Sequence, residues 1–198
     1  MIRERNILIL ILASASPRRL QLLEQIGIKP DRVVPADIDE SVRPRELPRV
    51  HALRIATEKA KAVQARLEPD GRTVILAADT VVACGRRILP KAENDATVTK
   101  CLELLSGRRH QVVTAVATID AAGKLRTRIV DTKVSFARLE AEEIARYVKL
   151  REGLGKAGGY AIQGNAGAFA DAINGSYSNV VGLPLAETFR LLKACGID

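Results

Sequence analysis

The spacing of apolar residues changes several times along the chain, and each change predicts a different element. Residues 7–12 form an unbroken apolar run of the length expected for a short buried strand. Apolar residues between positions 20 and 26 then recur at helical spacing, and Gly27 is placed to end that helix. The first predicted unit is therefore a strand that passes directly into a helix.

Amphipathic segments continue along the chain and predict the remaining helices. In each segment the apolar residues step by three and four positions, which places them on one face of a helix. A last helix follows Pro184, with Leu185, Phe189 and Leu192 expected to face the core. The other predicted helices are residues 48–67, 95–105 and 140–150.

Apolar runs between these helices predict the strands. Residues 73–78 have the pattern of a buried strand that ends at Asp79. Two longer runs, residues 111–119 and 126–136, favour antiparallel pairing beside a parallel core. We therefore predict an α/β fold in which a twisted mixed β-sheet is flanked by helices, within one domain over residues 1–198. The remaining strands are predicted at residues 32–36 and in a hairpin over residues 81–89.

Composition narrows the class of protein. The net charge of +8 would suit a nucleic-acid binder, but basic and acidic residues are interleaved along most of the chain. Aromatic residues make up 3% of the chain, which is few for a protein that stacks on single-stranded bases. A cleft for a small polyanionic substrate explains the charge equally well, so we expect no nucleic-acid partner, and a nucleic-acid binder is the alternative. No apolar run reaches membrane-spanning length, so no membrane partner is expected either.

The cysteines bear on the compartment. They are three in number and far apart, which favours a reducing environment, and we expect a cytoplasmic protein. A secretory signal is the alternative, because Arg3 and Arg5 precede an apolar run that small residues follow. That run is short for a signal peptide, and Glu4 interrupts its basic segment.

Two serines and two arginines occupy the junction between the first predicted strand and helix. Ser16 is placed as the helix N-cap and Pro17 as the first helical residue. Ser14, Arg18 and Arg19 then lie beside the free N–H groups of a helix N-terminus, where guanidinium groups add to the attraction for an anion. The segment therefore predicts a phosphate site, and an ordinary capped helix with solvated arginines is the alternative.

Asp79 is the most informative single residue. A carboxylate at the end of a buried strand faces the usual ligand crevice of an open sheet, where it can hold a divalent metal or accept a proton from water. An aspartate that caps a turn is the alternative. Glu40, from an acidic loop, would complete a pair of oxygen ligands suited to Mg²⁺ or Mn²⁺. Lys59 and Lys91 are candidates for offsetting phosphate charge, with solvated surface positions as the alternative, and Gln163 for contacting a base edge.

Together these segments resemble the Maf family of nucleoside triphosphate pyrophosphatases. The matching stretches occur in order over nearly the whole chain, which makes the resemblance specific. They are LASASPRR at 12–19, DE at 39–40, ATEKA at 56–60, AADTVV at 77–82, LLSG at 104–107, HQVVT at 110–114, KAGGYAIQG at 156–164, NGSY at 174–177 and VGLPL at 181–185.

The resemblance implies a metal-dependent enzyme that splits a nucleoside triphosphate into the monophosphate and pyrophosphate. It also implies a sheet and helices arranged as two lobes around a deep cleft, in an inosine triphosphatase-like fold, and often a homodimer. Asp79 matches the proton acceptor proposed for the family. The residues that match its phosphate and metal region are Ser14, Arg19, Glu40, Lys59 and Lys91.

Three further residues indicate the branch of the family. Arg18, Thr80 and Gln163 match the branch that acts on dTTP and UTP, so we expect these two nucleotides as substrates. A broader or 7-methyl-GTP-type house-cleaning pyrophosphatase is one alternative, and a non-catalytic, nucleotide-binding regulator of septum formation and cell division is another. The family's usual Gly-Lys-Pro is Pro90-Lys91-Ala92 here, so the backbone around Lys91 departs from the family pattern.

Overall fold

The computed structural model describes residues 8–68 and 70–197, and in this part of the chain seven strands form one mixed sheet. Ile7, included in the first predicted strand, lies outside the described residues. In chain order the strands are β1 (Ile9–Leu12), β2 (Arg32–Val33), β3 (Thr73–Cys84), β4 (Arg87–Ile88), β5 (Arg109–Ile119), β6 (Leu125–Phe136) and β7 (Ala170–Asn174).

The sheet joins a parallel region to an antiparallel one. Its strand order is β2-β1-β3-β5-β6-β7, and β4 pairs with the end of β3. Strand β1 runs parallel to β2 and to β3, whereas β3, β5, β6 and β7 pair antiparallel. This arrangement confirms the prediction of an α/β fold with antiparallel pairing beside a parallel core.

The helices begin and end close to the predicted positions. Glycine 27 adopts a φ of +73°, a left-handed conformation that ends the first helix without the steric cost of a side chain. The helices are α1 (Pro17–Gln25), α2 (Pro48–Gln64), α3 (Asp95–Leu105), α4 (Ala141–Lys149), α5 (Tyr177–Val181) and α6 (Leu185–Lys193), with a 3₁₀ helix at Asn165–Phe169. None of the helices among the described residues is long and apolar enough to cross a membrane.

Alternation along β3 directs successive residues to opposite faces of the sheet. Ile75 and Ala77 pack against the small residues of α2, in a cluster that includes Ala56 and Ala60. Val74, Leu76 and Ala78 face the other way, into a cluster built from α1 and α6. A third cluster lies between the far end of the sheet and helices α3 and α4. Helices therefore cover both faces of β3.

Three predictions about these elements are wrong. Strand β3 does not end at Asp79 but continues to Cys84, because β5 pairs with it across the polar pair and the apolar residues that follow. The strand expected at residues 32–36 is limited to Arg32–Val33. Phe189 is 41% exposed, because α6 buries the stripe that contains Thr188, Leu191 and Leu192, and Phe189 lies one residue off that stripe.

A gap in the pairing of β3 positions the site. One edge of β3 is paired with β5 from Ile75 to Ala83. On the other edge, β1 pairs only with Thr73–Leu76, and β4 only with Ala83 and Cys84. The stretch between them, which contains Asp79 and Thr80, therefore has no strand on that edge. The crevice predicted at the end of a strand is thus at the end of β1, with β3 running on through it.

Candidate active site

An ion cluster occupies the side of β3 that faces α2. Asp79 is 7% exposed and Lys59 is 8% exposed. The Lys59 Nζ atom lies 2.9 Å from Asp79 Oδ1 and 2.9 Å from Glu40 Oε1. The neighbouring Ala56 and Ala60 are small and fully buried, which lets α2 approach the sheet closely enough for this contact. The structure therefore brings together three of the residues predicted from the sequence.

Glu40 reaches this cluster from the loop between β2 and α2. Its side chain is 48% exposed, so it forms the open side of the cluster. Burial alone would raise the pKa of Glu40, but the hydrogen bond from Lys59 and the charges of Lys59, Lys91 and Arg19 outweigh it and lower the pKa. The carboxylate therefore stays ionised at neutral pH and faces several cations at once.

The loop that carries Glu40 is held against α2 by Arg54, a residue that the sequence analysis did not single out. The Arg54 guanidinium donates to Glu46 Oε1 at 2.7 Å, to Glu46 Oε2 at 2.8 Å and to the Ser41 carbonyl at 2.9 Å. These bonds from Arg54, together with those from the Arg43 backbone and His51, lower the pKa of the Glu46 carboxyl far below its usual range although burial opposes them. The same pairing raises the pKa of Arg54. Arg54 thus fixes both ends of the segment that follows Glu40.

A different network lies on the side of β3 that faces α1. Arg19 is 8% exposed, and its Nη1 donates to Ser14 Oγ at 2.9 Å. Its Nη2 donates to Thr80 Oγ1 at 3.2 Å, and its Nε to the Gly182 carbonyl at 2.9 Å. Burial lowers the pKa of Arg19 and the nearby Asp79 charge opposes that effect. Two N–H groups of the guanidinium stay available for a ligand oxygen.

Thr114 supports this network and was also missed. In the β3–β5 register Thr80 lies directly opposite Thr114. Their hydroxyl oxygens are 2.9 Å apart, and Thr114 Oγ1 donates to the Asn179 carbonyl at 3.1 Å. Thr114 is fully buried, between the apolar pairs Val112-Val113 and Ala115-Val116 of β5. A polar residue in such a strand is a weak sequence signal, but its partner depends on register, which the sequence does not reveal.

Ser14 and Ser16 differ from the expected helix cap. Ser16 holds the N-cap position and Pro17 begins α1, but the Ser16 side chain accepts no hydrogen bond from the helix. The Ser14 hydroxyl instead accepts from the Ser16 backbone N–H at 3.2 Å and from Arg19. The serines thus orient Arg19 and the start of the helix.

Arg18 and Lys91 are the two predicted phosphate-binding cations that are not buried. Arg18 is half-buried, and its Nε donates to the Val181 carbonyl at 3.4 Å. Lys91 is exposed and lies in an isolated antiparallel bridge with Ala157, which belongs to a glycine-rich segment, residues 153–167. The charge of Lys91 contributes to the lowered pKa of Glu40, after the hydrogen bond and the charge of Lys59. The bridge to Ala157 shows where the backbone of Pro90-Lys91-Ala92 lies, and the role of the Lys91 side chain stays a prediction.

Gln163, like Arg18 and Lys91, makes no hydrogen bond or ion pair with the other predicted site residues among the described residues. It is exposed on the glycine-rich segment, just before Gly164. That segment is held by Glu152, whose carboxylate accepts from the Asn165 backbone N–H at 2.8 Å and from Asn165 Nδ2 at 2.6 Å. The position of Gln163 is thus fixed by backbone contacts while its amide stays open to solvent.

The carboxylates at this site fit one kind of metal ion. Glu40 and Asp79 each use one oxygen on Lys59, which leaves the second oxygen of each for a cation. Within the described ranges there is no group of three or more metal-ligating side chains that could form an all-protein site. Mg²⁺ is commonly held by one or two carboxylates together with substrate phosphates and water. The donor set therefore fits a divalent ion that arrives with a phosphate ligand.

Comparison with known proteins gives consistent results. A family model described as Maf-like protein matches residues 9–195. The dTTP/UTP pyrophosphatase of Caulobacter vibrioides is 58% identical over 187 residues, which covers 94% of this chain and 95% of that protein. The dTTP/UTP pyrophosphatase of Novosphingobium aromaticivorans is 56% identical over 189 residues, with 96% and 92% covered. Among solved structures, the Staphylococcus aureus Ham1 protein is 18% identical with a TM-score of 0.45, over 65% of this chain and 71% of its own.

Proposed function

Because this chain belongs to the Maf-like protein family, we propose that it is a pyrophosphatase that hydrolyses dTTP and UTP to the monophosphate and pyrophosphate. The relatives that carry this name are more than half identical to it and are matched over nearly their whole length. Three free cysteines support our assignment of the reaction to the cytoplasm.

The observation that carries the proposal is the ion cluster around Lys59. A buried lysine binds two carboxylates on one face of β3, and the guanidinium of Arg19 binds Thr80, the next residue of the strand, on the other face. Negative and positive groups therefore flank two consecutive residues of one strand. The carboxylates supply a proton acceptor and metal ligands, and the cations supply phosphate contacts. Hydrolysis of a phosphoanhydride uses both kinds of group, the carboxylates to activate water and hold metal, and the cations to offset phosphate charge.

Asp79 is the proton acceptor in the proposed mechanism. Lys59 donates to its Oδ1, so both lone pairs of the oxygen Oδ2 are left open: one accepts a proton from a water molecule and the other would face the metal ion. The oxygen of that water attacks the α-phosphorus, and the bond between this phosphorus and the oxygen that bridges to the β-phosphorus breaks. The electron pair of the broken bond stays on pyrophosphate, and the new P–O bond completes the nucleoside monophosphate.

Cations offset the charge that collects on the leaving pyrophosphate. Arg19 is held in place by Ser14, Thr80 and Gly182, so its free N–H groups are pre-oriented before substrate binds. Lys59 adds positive charge from the other face of β3, and Lys91 is proposed to add to it. Such pre-orientation lowers the cost of reorganisation during the reaction.

Glu40 and Asp79 would hold a divalent cation, Mg²⁺ or Mn²⁺, through the oxygens that Lys59 leaves open. When bound, this ion polarises the phosphate oxygens and helps to neutralise the triphosphate. The exposed position of Glu40 allows the ion to enter with the nucleotide.

The proposal is tested by assaying the full chain with Mg²⁺ or Mn²⁺ on dTTP, UTP, the other canonical triphosphates and 7-methyl-GTP. We expect pyrophosphate and the monophosphate from dTTP and UTP, with the purine nucleotides turned over far more slowly. In ¹⁸O-labelled water, attack at the α-phosphorus places the label in the monophosphate. Label in pyrophosphate, or release of orthophosphate and a diphosphate, would contradict the mechanism.

A further inference from the structure

His110, on β5, is a buried histidine that the mechanism above does not use. It is 1% exposed, and its Nε2 atom lies 2.8 Å from the hydroxyl oxygen of Tyr160, on the glycine-rich segment. The rings of Phe136 and Tyr160 pack edge-to-face against the imidazole, with centroid distances of 4.9 Å and 5.4 Å. Burial lowers the pKa of His110 to about 4, although the backbone of Arg108 opposes this, so the ring is neutral at pH 7. A single neutral hydrogen bond therefore lies inside an apolar cluster.

Packing alone does not require a histidine at this position. A phenylalanine ring would fill a similar space without any polar atom to remove from water. A buried imidazole is unfavourable unless it is hydrogen-bonded, and the Tyr160 hydroxyl is the partner of its Nε2 atom. Burial also raises the pKa of Tyr160, so this hydroxyl keeps its proton. The hydrogen bond therefore specifies one position for Tyr160, which apolar packing would not do by itself.

Tyr160 begins the short stretch of backbone that leads to Gln163. The next N–H, that of Ala161, donates to the hydroxyl of the buried Tyr147 on α4 at 3.0 Å. The N–H of Gly164 then donates to the Ala161 carbonyl at 3.0 Å, which closes a turn around Gln163. Hydrogen bonds therefore fix the backbone on both sides of Gln163, while its own side chain is exposed.

The glycine-rich segment packs on the face of β3 that carries Thr80. Val82 lies two residues after Thr80, so the two side chains point to the same face. Gly158 has a φ of +67°, and a Cβ atom there would lie only 2.8 Å from Val82 Cγ1, so the segment contacts this face directly. His110 likewise shares a face of β5 with Thr114, which pairs with Thr80. The segment and the Thr80 network are therefore supported from one side of the sheet.

We infer that His110 is a positioning residue for base selection, because its hydrogen bond to Tyr160 holds the backbone that carries Gln163, the predicted base contact. This inference rests on the proposed function, since the base in question is that of dTTP or UTP. The donors and the acceptor of an amide distinguish one base from another only where the amide is held in one place. His110 does not touch the nucleotide and acts through Tyr160.

Direct binding tests this inference without turnover. The probes are analogues of dTTP and dGTP in which an NH group replaces the oxygen between the α- and β-phosphorus, so both carry the same triphosphate. Titration calorimetry with Mg²⁺ measures the ratio of their dissociation constants, and we expect the wild type to prefer the thymidine analogue. His110→Phe keeps an aromatic ring and removes the hydrogen bond, so we expect this preference to shrink roughly 3- to 10-fold, the range for one neutral hydrogen bond. The loss should come from weaker binding of the thymidine analogue.

Further variants separate positioning from a general loss of packing. In a Gln163→Ala background, adding His110→Phe should change the preference less than about 2-fold, because the effect acts through Gln163. His110→Gln retains a hydrogen-bonding group and should keep most of the wild-type preference. Val134→Ala is the matched control, since Val134 is fully buried directly opposite His110 in the β5–β6 register. It should lower the midpoint of thermal unfolding and leave the preference for the thymidine analogue unchanged.

An unchanged preference in folded His110→Phe would overturn the inference. An equal loss in Val134→Ala would also overturn it, and so would a loss of the same size in the Gln163→Ala background or a wild type that does not distinguish the two analogues. If His110→Phe fails to fold, Tyr160→Phe removes the same hydrogen bond and is measured in the same way. A wild type that prefers the thymidine analogue but does not hydrolyse dTTP would refute the proposed function and leave the role of His110 standing.

Discussion

Asp79 and Thr80 are neighbours in one strand, yet they belong to two different environments. The Asp79 face of β3 is built from ions, with Lys59 between two carboxylates. The Thr80 face is built from hydroxyl groups and backbone carbonyls around the single guanidinium of Arg19. The pleat of the strand alone separates them, since successive side chains point to opposite faces.

The difference indicates a division of labour. Ions on the Asp79 face respond to protons, metal ions and phosphate, so this face is suited to the chemical step. The hydroxyl groups on the Thr80 face do not ionise near neutral pH, and their hydrogen bonds hold their partners in one orientation. This face is therefore suited to orienting Arg19 and the substrate. Four predictions test this division, from the largest expected effect to the smallest.

Asp79→Asn should have the largest effect. The amide keeps the size of the side chain but cannot accept a proton, so we expect kcat for dTTP to fall roughly 10²- to 10⁴-fold while the protein stays folded. Steady-state assays and circular dichroism measure both quantities. Wild-type turnover in a folded Asp79→Asn protein would remove Asp79 from the mechanism.

Lys59→Met should affect both stability and activity. It leaves the buried carboxylate of Asp79 without its N–H donor, so we expect the free energy of unfolding to fall by roughly 3 kcal/mol, the scale for breaking a buried pair. Urea denaturation measures this change. Lys61→Met, an exposed position on the same helix, serves as the control and should stay within about 0.5 kcal/mol of the wild type. Equal stability of the two variants would show that the cluster does not act as a buried unit.

Thr114→Val should weaken the opposite face more mildly. The change keeps the shape but removes the hydroxyl that contacts Thr80 and the Asn179 carbonyl, at a cost of roughly 1–3 kcal/mol. Because Thr80 helps to orient Arg19, we expect KM for dTTP to rise more than kcat falls. Thr114→Ser retains the hydroxyl and should restore KM, and a variant pair with identical KM would argue against this positioning effect.

The dependence of the free energy of unfolding on pH should come from the ion pairs on the α2 side of β3, not from the hydroxyl groups of the Thr80 face. Glu46 has a pKa lowered by Arg54, so its contribution is present in full above the unfolded value of 4.5 and is lost as pH falls toward the lower folded value. We expect the free energy of unfolding to decrease on acidification below about pH 5, and the decrease to be smaller in Arg54→Met. Thr114→Val, on the neutral face, should keep the wild-type slope. If the free energy of unfolding fell equally steeply with pH in the wild type, Arg54→Met and Thr114→Val, the proposed difference between the two faces would be contradicted.

The local pattern of apolar residues was sufficient to predict an element whose ends depend on its own residues and their immediate neighbours. Helix α3 begins and ends where the apolar spacing and its flanking residues predict, and Gly27 ends α1 as expected. The pattern failed at Asp79, because the continuation of β3 depends on pairing with β5, a strand that lies some thirty residues further along the chain. The prediction that Phe189 faces the core failed for a similar reason, because the elements that pack against α6 decide which face of the helix is buried.

Motif and residue chemistry in the sequence singled out the charged groups Arg19, Glu40, Lys59 and Asp79 and predicted a phosphate ligand for them. Tertiary structure alone decided which residues are partners: that Lys59 joins Glu40 to Asp79, and that Thr114 supports Thr80. The physical reason is the distance along the chain over which each interaction acts. Side-chain chemistry and helix or strand preference are local properties, whereas register and the approach of separate segments follow from packing of the whole sheet.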